Sequence, residues 1–105
     1  MHKTTFRTLA RNKDGEIAAI KKDGFTDNDF NYYRGKDGWF AIDPLSGLSV
    51  YKGKTKKETI DFVHSADFVV KFNDKKKTAD YIQKVAFFYK KQVECGAIVK
   101  NTLFG

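Results

Sequence analysis

Lys77, Tyr81, Lys84, Phe88 and Lys91 recur at helical spacing near the end of a 105-residue chain. At 100° per residue they fall within about 80° of arc. Rings that stack on bases, interleaved with cations that meet phosphates, are the chemistry of single-strand nucleic-acid binding. The same stripe suits a partner protein, to which Tyr and Phe supply contact area. It also reads as ordinary packing, in which lysine stems cover neighbouring rings. A second cationic group, Lys54, Lys56 and Lys57, surrounds Thr55, where a helix begins and open N–H groups could receive an anion. The lone Trp, Trp39, lies in WFAID, an apolar-faced run on which an exposed ring would extend such a surface.

Other chemistry is thinly supplied. His64 is the only internal His, followed by Ser65, and Cys95 is the only Cys. A nucleophile needs a base beside it and a third group to orient that base. Cys95 lies at the expected end of a helix, where the dipole disfavours a thiolate. An enzyme would need His64 and carboxylates to converge on a pocket. Asp27, Asn28 and Asp29, with Asp23 nearby, offer oxygen ligands but lack the glycine and distal glutamate of a calcium loop. Gly53-Lys54-Thr55 resembles the end of a phosphate loop, yet Leu48 stands where that loop needs its first glycine. No catalytic residue, metal or cofactor is therefore assigned.

The charge balance agrees with a polyanionic partner. Twenty basic and 13 acidic residues give +7. The excess is spread, with ten basic against seven acidic residues over 1–54 and ten against six over 55–105. Such a chain favours nucleic acid or an acidic protein. No apolar run approaches the roughly 18 residues of a spanning helix. The opening MHKTTFRTLARNKDG has no apolar segment of signal-peptide length. With a single cysteine and no possible internal disulfide, the setting expected is cytoplasmic.

The elements that must hold these groups follow from turn chemistry and periodicity. Lys-Asp-Gly occurs at 13–15, 22–24 and 36–38, and Asp-Gly marks tight turns. Short runs with β-branched or aromatic residues lie between, at 4–11, 16–20, 30–34, 39–43 and 48–52. Residues 23–29 read as a polar loop. Thr55 and Glu58 form a capping box that opens a short helix over 56–65. DFVVKF, 67–72, alternates and reads as a strand. Asn73-Asp74 then breaks the chain before a longer helix over 75–95. Ile82, Val85, Ala86, Tyr89 and Val93 supply its core face, and Gly96 its C-cap. Residues 97–105 suggest a strand or tail.

The expected architecture is α+β over one domain, 1–105: an antiparallel meander of four to five strands with two helices on one face. The expected function is a non-catalytic binding module, for nucleic acid or for an acidic protein. Its contacts would be Lys54, Lys56, Lys57, Lys77, Tyr81, Lys84, Phe88, Lys91 and Trp39.

Overall fold

The computed structural model describes residues 1–97; the strand or tail expected beyond Ala97 lies outside the described residues. Five antiparallel strands form one sheet in chain order: β1 (His2–Arg11), β2 (Ile17–Thr26), β3 (Asn31–Gly35), β4 (Gly38–Ile42) and β5 (Ser49–Gly53). Three helices follow: α1 (Lys56–Val63), α2 (Ala66–Lys76) and α3 (Ala79–Glu94). The α+β class and the meander are as expected. The helix count is three, and the second Lys-Asp-Gly is not a turn. It lies inside β2, where Asp23 pairs with Thr5 and Gly24 with Thr4. Gly24 is required there because a Cβ would collide with the carbonyl oxygen of Tyr32. The polar loop accordingly shrinks to the residues after Thr26.

The run 67–72 forms part of α2, not a strand. Ser65 caps it, its Oγ accepting the N–H of Phe68 at 3.4 Å. Asp67 lies in the first turn, near the positive end of the dipole. Phe68 and Phe72 are four residues apart, so they share a helical face as readily as a strand face. Both meet Phe30, at ring separations of 6.0 and 5.6 Å. Asn73 and Asp74 continue the helix, and Thr78 starts the next one by accepting the N–H of Tyr81 at 3.2 Å.

The core is ringed by aromatics. Tyr32, Ala41 and Val63 are fully buried, with Phe30, Phe72 and Tyr81 beside them. Tyr32, Ala41 and Tyr51 are cross-strand neighbours on one sheet face, and the helices pack there. The other end of the sheet is tied through a loop. Gly47 accepts hydrogen bonds from Leu9 N (2.8 Å) and Thr8 Oγ1 (2.7 Å), which brings the β4–β5 turn onto the edge of β1.

The largest correction concerns α3. Tyr81 and Phe88, read as an outward stripe, point inward at 6% and 1% exposure. Ile82, Ala86 and Tyr89, read as the core face, are exposed, Ile82 at 61%. The physical reason is size and satisfaction. Two large rings bury more apolar area than Ile82 and Ala86. The Tyr81 hydroxyl also finds Asp43 Oδ2 at 2.6 Å. Phe88 lies over Gly47, whose φ of +67° suits glycine and whose missing Cβ leaves room for the ring. Phe88→Ala should therefore cost about 3–5 kcal/mol in urea unfolding, whereas Ile82→Ala should stay within about 0.5 kcal/mol. The reverse order would restore the face read from periodicity.

Candidate functional site

The cations named from sequence divide sharply once the fold is known. Lys57 Nζ lies 2.6 Å from Asp61, Lys84 Nζ 2.9 Å from Asp80, and Lys91 Nζ 3.2 Å from Glu94. Each pair lies within one helix, at i,i+4 or i,i+3. Lys77 is exposed and caps the C-terminus of α2. With Tyr81 and Phe88 buried, the α3 stripe offers no free ring face. Lys54, Lys56 and Trp39 gather elsewhere, at the end of the sheet where the β3–β4 turn meets the start of α1.

That end is a basic cleft of about 400 Å³, lined by Arg34, Lys36, Asp37, Trp39, Lys54 and Lys56 among others. The β3–β4 hairpin delivers the first four, because Gly35 pairs with Gly38 and leaves a two-residue turn, Lys36-Asp37. The capping box delivers the others. Thr55 Oγ1 accepts Glu58 N at 3.1 Å, and Glu58 Oε2 accepts Lys54 N at 3.1 Å. The N–H groups of Lys56 and Lys57 open α1 and have no intrahelical acceptor. Lys56 Nζ stands 3.5 Å from the Phe25 ring centre and 5.8 Å from Trp39. Trp39 is half-buried against the core, so only part of it is available.

A second group adjoins this one on the other sheet face. Tyr33 and Phe40 stack at 5.1 Å with planes 14° apart, and Phe6 lies 6.1 Å from Tyr33. Lys22 Nζ stands 5.1 Å over Tyr33, and Lys52 Nζ 5.4 Å over Phe40. Burial pushes the Tyr33 phenol up from its ordinary value, so the ring stays neutral. Lys52 also reaches Gly38, which lines the cleft, so the two groups are continuous. Among the described residues, no charged side-chain nitrogen of Lys22, Arg34, Lys36, Lys52, Lys54 or Lys56 lies within 4.0 Å of a carboxylate oxygen. Four of these six, Lys22, Arg34, Lys36 and Lys52, were not singled out from sequence. Their meeting depends on strand pairing, although the aromatic and lysine content of WFAID and LSVYK was visible.

His64 is exposed, at the boundary of the first helix. It ends α1, and its Nε2 lies 2.7 Å from Asp27 Oδ2. Tyr32 donates to the same oxygen at 2.5 Å. Asp27 Oδ1 accepts the N–H groups of Asp29 and Phe30. The ligand atoms of Asp27, Asp29 and His64 lie within 4.8 Å of one another, a donor set that could hold a divalent cation. A cleft of about 230 Å³ opens beside His64 and Asp29, toward Asn73 and Lys76 of α2. A carboxylate thus orients an imidazole, which is one part of a catalytic site. Among the described residues, Ser65 and Cys95 are engaged elsewhere: Ser65 Oγ caps α2 and bonds Phe62 O, while Cys95 Sγ donates to Gln92 O. The arrangement instead pins the β2–β3 loop to the end of α1.

No protein-family model, curated protein or solved structure matches this chain. No helix among the described residues is long and apolar enough to cross a membrane.

Burial alone would push the Asp27 carboxyl up, but hydrogen bonds from His64, Tyr32 and the Phe30 and Asp29 amides outweigh it and hold the group below its ordinary value. A carboxyl whose folded value is lowered adds stability above its unfolded value of about 4, lost as pH falls through the folded one. Urea unfolding should accordingly show Asp27→Asn well below wild type at pH 7 and the gap narrowing at about pH 3. A gap that is the same at both pH values would remove the charge from this account.

Proposed function

We propose that this chain is a nucleic-acid-binding module whose contact surface is the β3–β4 end of the sheet. The observation that carries the reading is the group of six cations without carboxylate partners, set around aromatic rings. Arg34, Lys36, Lys54 and Lys56 meet phosphates in the cleft, assisted by the first N–H groups of α1. Lys22 and Lys52 swing from their rings to the backbone, which frees Tyr33 and Phe40 to stack on a base. Tyr33 and Phe40 are half-buried, and a cation over such a ring is held by about 0.5–2 kcal/mol, which a phosphate can outweigh. One carboxylate, Asp37, lines the cleft, and it leaves the local balance strongly positive. The same proposal includes the cytoplasmic setting and the absence of catalysis.

An acidic protein would also be drawn to this end, and salt dependence separates the two partners. Binding to single strands through four phosphates should weaken with a log–log salt slope of about −3. Fluorescence anisotropy on labelled single-stranded and duplex oligonucleotides measures this directly. Lys36→Glu with Lys54→Glu should lower affinity at least about tenfold and flatten the slope by about one to two. Lys57→Glu with Lys84→Glu changes the net charge equally but touches residues already paired on their own helices, and should have a much smaller effect. Equal losses from the two double variants would reduce the binding to bulk charge. No retention at physiological salt would end the nucleic-acid reading.

A further inference from the structure

β1 is an outer strand of the sheet, and part of its edge is unpaired among the described residues. Leu9 donates its N–H away from β2, to Gly47 O. In an antiparallel ladder, inward and outward positions alternate. Leu9, Arg7, Thr5 and Lys3 pair with Ala19, Lys21, Asp23 and Phe25, and all four therefore turn their N–H and C=O outward. Beyond Leu9, these groups meet no backbone partner among the described residues; the Thr5 carbonyl accepts only the Thr4 hydroxyl, at 3.4 Å. Three successive outward positions, about 7 Å apart, are a template for one more strand.

The charge on this edge selects what pairs with it. β1 carries Lys3, Arg7 and Arg11 and no carboxylate. Arg7 stands directly across from Lys21, a like-charge pair that costs stability. The Arg7 side chain reaches over β2, its Nη1 donating to Ala19 O at 2.7 Å, which leaves Lys3 as the cation nearest the open stretch of the edge. Asp23 is the nearby carboxylate, and it accepts the Thr5 hydroxyl at 3.0 Å. A second copy of β1 would set cations against cations. We propose that β1 accepts an extended acidic peptide, whose carboxylates lie beside Lys3 at the open end of the strand. The open cleft along Lys3, Thr5, Asp23 and Phe25 receives alternate side chains of the added strand.

Thr5→Pro tests this directly, because it removes an outward N–H without touching an inward rung of the β1–β2 ladder. The probes are a labelled ten-residue peptide of alternating Glu and Val and its Lys-for-Glu counterpart, read by anisotropy against the full chain. The acidic peptide should bind and the basic one should not. Thr5→Pro should weaken binding about tenfold, the worth of one hydrogen-bonded rung, with an unchanged circular-dichroism spectrum. Lys3→Glu is the second variant and should weaken it as well, while Lys36→Glu with Lys54→Glu should leave it intact. Binding that survives both Thr5→Pro and Lys3→Glu, binding of the basic peptide, or no binding at all would overturn the assignment. So would sedimentation showing a dimer that Thr5→Pro dissociates, which would make a second copy the occupant.

Discussion

A buried carboxylate holds this molecule together. Asp43 follows β4 at 2% exposure, and its carboxylate receives four hydrogen bonds: from the N–H groups of Leu45 and Ser46, the Ser46 hydroxyl and the Tyr81 hydroxyl. A buried acidic group left without donors is costly enough to unfold a small domain. Three of the donors belong to its own turn and form with it. The fourth must come from α3, 38 residues away. That demand sets the rotation of the helix. Once Tyr81 faces Asp43, Phe88, two turns on, faces Gly47 of the same turn. Gly47 O in turn takes Leu9 and Thr8 of β1. One turn thus gathers the first strand, the last two strands and the last helix. Among the described residues, no buried side-chain polar atom is left without a partner.

The rotation of α3 decides where the usable charge lies. With its rings turned inward, Lys84 and Lys91 flank the packed face and pair with Asp80 and Glu94 of the same helix. Helices make such pairing easy, since i and i+4 are neighbours. Each exposed pair stabilises little, yet it lowers the local positive charge. Among the described residues, the cations left without a carboxylate within 4.0 Å lie on the sheet and also along α2, where Lys71, Lys75 and Lys76 have none.

Much of this was legible from local chemistry. The five strands follow from turn residues and alternation, the start of α1 from Thr55 and Glu58, and the end of α3 from Gly96, whose φ is +79°. Each rests on residues within a few positions of one another. The misreadings have equally local causes. Phe68, Val70 and Phe72 satisfy a period of two, while Phe68 and Phe72 also satisfy i,i+4; the capping hydroxyl of Ser65 decided between them. α3 is apolar around most of its circumference, so periodicity could not choose a face, and the choice fell to Asp43, which periodicity does not see. The His64–Asp27 pair spans 37 residues, and nothing local to either residue announces it.

Strand pairing explains why Lys22 and Lys52 have no carboxylate partner. The cross-strand neighbour of Lys22 is Phe6, and that of Lys52 is Phe40. Where a helix would place a carboxylate, the sheet places a ring. Phe6 and Phe40 also lie over Gly24 and Gly35, covering backbone that lacks side chains of its own. The rings are thus needed by the fold, and the lysines lean on them with contacts far weaker than a buried ion pair. A cation held in this way is ordered enough to be positioned and loose enough to be released. The same pairing leaves Arg7 against Lys21 at the far edge of the sheet. Both surfaces argued for this chain arise from one cause: a meander whose side-chain neighbours neutralise none of its charge.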